Sequence, residues 1–228
     1  MEGIDPMTAP SRILVLGASG RTGRPLVSQA LASGLRVRAF VRAPERLRGI
    51  SHPALDVFTG DVLDAGDVAR AVEGQDAVLS TLGRDGSDVR PLLDGTENVI
   101  RAMRTHGVER LVCMSSMGAG STTVLAGPVL NFMIRLMGLK HSFDAKAVQE
   151  RMLFESELRV SLLFAGSLSD GKATGRPRVT TVADAPRASI LPPEGVTRAD
   201  VAAAMLTELR ANEWVGRPAC VVGPGAKG

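Results

Sequence analysis

Residues 12–25 read Arg12-Ile13-Leu14-Val15-Leu16-Gly17-Ala18-Ser19-Gly20-Arg21-Thr22-Gly23-Arg24-Pro25. Four consecutive aliphatic residues between a charge and a glycine have the composition of a short strand covered on both faces. Glycines follow at GxxGxxG spacing, and a helical pattern runs over residues 22–32. The first glycine permits a tight turn, the second lets backbone approach a pyrophosphate, and the third lets helix and strand pack closely. The helix start offers unpaired N–H groups and a partial positive charge to an anion. Pro25 sits in the first turn, where its missing donor costs little. Three glycines alone are weak evidence, but between a strand and a helix they specify a dinucleotide site, with Gly17, Ser19, Gly20, Arg21, Thr22 and Gly23 as its expected loop residues.

Outward from this loop the chain alternates. Strands are expected at residues 35–41, 55–59, 76–82, 110–114 and 159–164, with helices at 65–72, 91–105 and from about 142 to 158. Strand–helix units recurring every 20–30 residues mean parallel strands joined by right-handed crossovers. The expected fold is therefore α/β, a doubly wound parallel sheet of the Rossmann type in three αβα layers. After Gly166 the pattern loosens into Gly, Pro, Ser and Thr, with a strand at 178–182, a helix at 197–210 and a strand at 218–222. Residues 166–228 read as a small substrate lobe on the same sheet, too short to hold a separate core, so residues 11–228 form one domain. The opening Met1–Met7 holds a second methionine and lacks the basic and apolar regions of a secretory signal. Residues 1–10 are set aside as an expression scar and flexible N-terminus.

The chain of 228 residues is 44% apolar and 22% charged, a balance that excludes a disordered protein. Five arginines (Arg36, Arg38, Arg42, Arg46 and Arg48) crowd together, yet aromatics are only 3%. A nucleic-acid surface would interleave its cations with stacking rings, so no nucleic-acid partner is expected. The apolar stretch at 124–139 is broken by Gly127, Pro128, Asn131 and Arg135, too short for a membrane span. Cys113 and Cys220 lie far apart in apolar runs, with no CxxC or Cys/His cluster, which suggests core thiols in the cytoplasm and no metal. No GxSxG nucleophile motif occurs. The acid that binds a ribose 2′-hydroxyl about 20 residues beyond the glycines is missing. Strand two ends instead in Val41-Arg42, with Glu45 the nearest acid. A guanidinium there suits a 2′-phosphate, which favours NADP(H) over NAD(H), and Arg21 could reach the same group. The plainer reading makes Arg42 a solvated strand-end charge.

These segments together resemble the atypical short-chain dehydrogenase/reductases with an NAD(P)-binding Rossmann domain, closest to the biliverdin reductase B/flavin reductase-like branch. Gly17–Gly23 is similar to that family's GA[ST]GxTG loop, and Phe40-Val41-Arg42-Ala43-Pro44 to the end of its second strand. The resemblance implies that Asp61 and Val62 of Gly60-Asp61-Val62 hold adenine, and that Thr81, Leu82 and Gly83 flank the cofactor. Val112-Cys113-Met114-Ser115-Ser116 resembles the fifth-strand unit, which implies a cofactor-side role for Ser115. The likeness covers residues 11–165 well and the tail loosely, through Thr197–Ala202. Two departures matter. The family's YxxxK pair is represented by Lys146 alone, with Ser142 at the tyrosine position and no tyrosine anywhere in the chain. After the sixth strand stands Phe164-Ala165-Gly166-Ser167 rather than a proline-containing turn.

Ser116 and Lys146 are the candidate catalytic residues. Ser116 ends the fifth strand, where ligands of open α/β sheets bind; the bland alternative is a hydroxyl bonded to loop backbone. Lys146 could hold ribose hydroxyls or merely pair with Glu150 one turn on. His141 is a further candidate proton source, although a lone loop histidine more often does nothing. Residues 124–139 are expected to overhang the cleft as an apolar, methionine-bearing wall, or else to be core or a subunit contact. The sequence thus reads as an NADPH-dependent reductase of a conjugated acceptor such as a flavin, a quinone or a linear tetrapyrrole. Its alternatives are a non-catalytic NADP(H)-sensing regulator and a sugar-nucleotide-type epimerase or lyase. A small-molecule partner, no membrane, and a monomer or weak homodimer complete the expectation.

Overall fold

In β1 (Arg12–Leu16), Ile13 and Val15 point into one hydrophobic core and Leu14 and Leu16 into another, and all four are fully buried. A strand covered on both faces belongs in the middle of a sheet, which is where β1 lies. The computed structural model describes residues 10–83, 87–175, 177–186 and 196–223. The supposed scar at 1–9 and parts of the expected lobe, at 176, 187–195 and 224–228, lie outside the described residues.

The strands that follow are β2 (Arg36–Val41), β3 (Leu55–Thr59), β4 (Ala77–Ser80), β5 (Arg110–Ser116), β6 (Arg159–Ala165), β7 (Leu168–Ser169), β8 (Arg178–Thr180), β9 (Val196–Thr197) and β10 (Pro218–Val222). Eight of them form one sheet in the order β3-β2-β1-β4-β5-β6-β10-β8, parallel except for β8 at the edge; β7 and β9 pair apart. Helices α1 (Gly23–Ala32) and α6 (Arg198–Ala211) cover one face. Helices α2 (Ala65–Val72), α3 (Asp94–Thr105) and α5 (Lys140–Phe154) supply the core of the other, and α4 (Pro128–Leu136) precedes α5. The doubly wound, three-layer expectation is met.

Local differences have local causes. Strand β5 runs past Met114 because Met114, Ser115 and Ser116 keep pairing with Leu163, Phe164 and Ala165 of β6. Strand β4 stops at Ser80, and Thr81 turns over the glycine loop while its amide still donates to Leu16 O at 3.0 Å. In the tail, Thr197 Oγ1 accepts from Asp200 N at 3.0 Å to start α6, and the fully buried Asp200 carboxylate accepts from Thr174 N at 2.8 Å.

A buried ion pair joins the two ends of the sheet's second half. Arg110, 2% exposed, donates from Nη2 to Glu208 Oε1 at 3.1 Å and to Glu208 O at 2.8 Å. Its Nη1 donates to Ser161 Oγ at 2.9 Å. Ser161 Oγ in turn donates to Glu208 Oε1 at 2.6 Å, and Trp214 N donates to the same oxygen at 3.0 Å. One carboxylate thus fastens β5, β6, α6 and the turn before β10.

Cys113 and Cys220 are free and buried, as expected. Cys113 stands opposite Leu162 of β6 and Cys220 opposite Phe164, so the cysteines are two strands apart and two residues out of step. Strand spacing and rise put them roughly 12 Å apart, beyond the reach of a disulfide. Among the described residues, no helix is long and apolar enough to cross a membrane.

Candidate functional site

The order of the sheet reverses around β1, whose neighbours β2 and β4 are reached by crossovers on opposite faces. Open α/β sheets bind ligands at such a switch point, outside the carboxyl ends of the strands. A cleft of about 260 Å³ lies there. Gly17, Ser19 and Gly20 form its floor, and Thr81, Leu82, Gly83 and Pro91 one wall. Phe40, Val41, Arg42, Arg46, Asp61 and Val62 form the other.

The glycines fit a cofactor cradle for separate reasons. Gly17 has φ +72°, and a Cβ there would come within 2.9 Å of Thr81 Oγ1. A Cβ at Gly23 would lie 2.1 Å from Gly17 O, so the third glycine serves helix–strand packing beneath the loop. No side chain caps α1, although Arg24 N already donates to Gly20 O at 3.0 Å and Pro25 has no N–H, so the helix start meets an anion chiefly through its dipole. Thr81 Oγ1 lies within hydrogen-bond reach of Leu16 O (3.1 Å) and Gly17 O (3.2 Å) and ties the wall to the floor. Asp61 is oriented from both sides: its amide donates to Asp67 Oδ2 at 2.9 Å, and its Oδ1 accepts from Leu63 N at 3.0 Å. Val62 is steadied by Asn98 Nδ2, which donates to its carbonyl at 3.0 Å, and by Gly95, where a Cβ would meet Val62 Cγ1 at 2.9 Å.

Nine of the expected cofactor residues line this cleft; Arg21, Thr22, Gly23 and Ser115 do not. Thr22 and Gly23 are buried beneath the loop. Arg21 pairs with Asp170, which also accepts from Arg198 Nη1 at 2.7 Å. The glycine loop is therefore tied through Arg21 to Asp170, just after β7, and the expected convergence of Arg21 with Arg42 does not form. Arg46 takes that place. The 3₁₀ turn Pro44–Leu47 carries it to the cleft, and Arg24 pins the turn by donating to Arg46 O and, at 3.1 Å, to Arg48 O. The crowded arginines were the sequence signal for Arg46.

Around the end of β5 stand the other candidates. Ser115 is 2% exposed and its Oγ has no hydrogen-bond partner among the described residues, while Ser116 is half-buried. Lys146 is buried on the inner face of α5 with Ser142 and Gln149. No carboxylate pairs with it among the described residues, and burial pushes its pKa below the ordinary lysine value, partly offset by the nearby Cys113 sulfur. The i,i+4 pair with Glu150 is not made. Glu150 Oε2 accepts instead from Ser121 N at 3.0 Å, and Gly120 fits against it only because it has no Cβ, which would lie 1.6 Å from that oxygen. His141 is exposed.

Residues 17–212 match the NAD(P)H-binding family. This chain belongs to that family. An uncharacterised chloroplastic protein of Arabidopsis thaliana is 31% identical over 176 residues, covering 72% of this chain, and the chain spans only 61% of that relative's length. Among solved structures, ChuY, titled an anaerobillin reductase from Escherichia coli O157:H7, superposes with a TM-score of 0.77 at 24% identity, covering 95% of this chain and 99% of that one. A short-chain dehydrogenase/reductase of Veillonella parvula, in complex with NADP, gives a TM-score of 0.78 at 17% identity, with 96% and 97% covered. The expected membership among atypical short-chain dehydrogenase/reductases holds at the level of family and fold.

In this member of the NAD(P)H-binding family, a further segment follows β5. It forms a 3₁₀ turn, Gly120–Leu125, and then α4. Only Ile134 of α4 is buried, which removes the core-helix reading. Val124, Val129, Phe132, Leu136 and Met137 are exposed, and Val57 is the one other exposed large apolar side chain among the described residues. Apolar surface concentrated in this way marks a contact site rather than scatter.

Proposed function

We propose that this chain is an NADPH-dependent reductase delivering hydride to a conjugated acceptor: a flavin, a quinone or a linear tetrapyrrole. The observation that carries the reading is at the YxxxK position, where Ser142 is buried beside a Lys146 that has no carboxylate partner among the described residues, and the chain has no tyrosine. Reducing an isolated ketone builds alkoxide charge, which needs a positioned acid in the transition state. A conjugated acceptor spreads that charge over its own rings, so solvent can supply the proton late. The nicotinamide, when bound, supplies the hydride. The chain's own residues orient: the glycine loop holds the pyrophosphate, Asp61 and Val62 face the adenine, and Ser116 faces the acceptor. Positioning alone can lower a barrier by several kcal/mol, up to ~7–11. The reductase named among the structural neighbours supports the same reading, and two sealed thiols suit a reducing compartment such as the cytoplasm.

Steady-state NADPH consumption with flavin or quinone should exceed turnover of simple ketones and secondary alcohols by orders of magnitude. Ser116→Ala should cost no more than about tenfold, because its hydroxyl orients and does not transfer the decisive proton. Tight NADPH binding with no acceptor-dependent consumption would favour a sensor instead. Efficient alcohol oxidation abolished by Lys146→Ala would show an acid–base pair that needs no tyrosine.

The preference for NADPH is assigned to Arg42 and Arg46, which share one wall of the cleft. Arg42→Ala should remove a charge-assisted contact worth roughly 1.5–3 kcal/mol, about ten- to a hundredfold in NADPH affinity. Titration with NADH should show almost no change. Equal weakening of both nucleotides would make Arg42 a structural arginine.

A further inference from the structure

We infer that the acceptor carries an acidic side arm, phosphate or carboxylate, and that Arg135 with Lys140 holds it in a second pocket beside the strand-end serines. The inference rests on the reductase reading and narrows its substrate class. A pocket of about 140 Å³ lies between the segment after β5, α4 and α5. Ile134 and Phe143 give it apolar walls, and Arg135, Lys140 and Asp144 supply its charged groups. Asp144 is already committed to Lys140, at 2.6 Å across one helical turn. Arg135 has no acidic partner among the described residues, so the lining carries one net positive charge. Glu150 stands behind Gly120 with its carboxylate engaged by Ser121 N, and His141 is exposed on the first turn of α5.

Position ties this pocket to the reaction. Its wall begins at Gly118, two residues after Ser116, and reaches Gly120. Four residues of chain span at most about 14 Å, within the length of a flat ring system and a short arm. Gly118, at φ +91°, packs bare backbone against Phe143, and a Cβ there would touch the ring at 3.4 Å. Val129, Phe132 and Leu136 expose apolar surface elsewhere on α4, the helix that forms one side of the pocket. An occupant matching all of this has a flat apolar body and one oxyanion, which a guanidinium binds through two parallel hydrogen bonds.

Riboflavin and its 5′-phosphate share one ring system and differ only in the phosphate. The wild type should bind and reduce the phosphate form roughly tenfold better at low salt, and the ratio should fall towards one as added salt screens the pair. Arg135→Gln should bring the ratio near one by weakening the phosphate form; Arg135 is exposed, and melting curves check that the variant folds. Asp144→Asn should raise the ratio. Lumiflavin against carboxymethylflavin repeats the comparison for a carboxylate: a preference lost in Arg135→Gln means either arm is accepted, and no preference there assigns the site to phosphate. Flavin fluorescence with NADP present reads binding without turnover. If neither flavin is reduced, the reductase reading fails, yet a phosphate preference in binding that Arg135→Gln removes still supports the site. Equal binding of the two flavins by wild type, no binding of either, or a preference that survives Arg135→Gln overturns it.

Discussion

Glu208→Ala lowers the stability of the folded chain by about 3–5 kcal/mol, the cost of leaving a buried charge without its partner. Arg110 cannot follow its lost partner into water: it is 2% exposed and held by the carbonyls of Leu111 and Arg159 as well as by Ser161. Burial already pushes its pKa down, and the Glu208 charge is the largest influence opposing that push. Ser161 Oγ and Trp214 N lose their acceptor at the same stroke. In a chain of this length each kcal/mol moves the midpoint by roughly 2–4 °C, so the melting temperature should fall by about 6–20 °C. Glu208→Gln keeps an oxygen for Ser161 and Trp214 but not the charge, and should fall between. Urea denaturation of the three proteins measures the series. A loss under about 1 kcal/mol for the alanine variant would mean that water enters and solvates Arg110.

Lys146→Met has the opposite sign. Replacing an unpaired buried ammonium by an apolar side chain of similar length should raise stability by about 1–4 kcal/mol at neutral pH. If Lys146 holds the cofactor's ribose hydroxyls, the same change should lower reductase activity about ten- to a hundredfold through that one charge-assisted hydrogen bond. The pH dependence follows from the direction of the shift. The native pKa lies below the ordinary lysine value of 10.5, so between the two values the unfolded chain binds more protons. Wild-type stability therefore rises with pH across that window. The methionine variant lacks this rise, so its advantage is greatest below the native pKa and is gone above about 10.5. Denaturation midpoints of both proteins from pH 6 to 11 test the sign. An advantage that does not shrink with pH would show that packing, and not a buried charge, separates the two.

The part of the fold that the sequence disclosed is the part fixed by neighbours along the chain. The β1–loop–α1 unit is written in aliphatic run, glycine spacing and helical period, and β3, α2 and β10 have the bounds expected for them. Asp61 and Val62 came from family resemblance, and the structure supplies their physical support in Asp67, Asn98 and Gly95. What escaped depended on distant partners. Arg21 is claimed by Asp170, 149 residues away, and no local pattern announces that. The Lys146–Glu150 spacing suits a helical ion pair, but a backbone amide from another segment takes the carboxylate first. Arg46 required knowing that a 3₁₀ turn follows β2 and that Arg24 pins it. The apolar run at 124–139 left open a wall over the cleft, a core helix or a subunit contact, because the sequence does not say which of its side chains meet solvent.

The sealed thiols give the molecule an internal clock. Cys113 and Cys220 sit inside the sheet, and burial pushes each thiol up to about 11. A thiolate is the reactive species, so an alkylating reagent at neutral pH meets neither proton loss nor access while the sheet is closed. Each covalent capture therefore records one opening of the second hydrophobic layer. With reagent in excess, the labelling rate becomes the opening rate of the native chain in plain buffer, with no denaturant and no attached probe. The sites lie two strands apart, so matching rates would mean that β5 and β10 open as one unit, and differing rates would locate the seam between them.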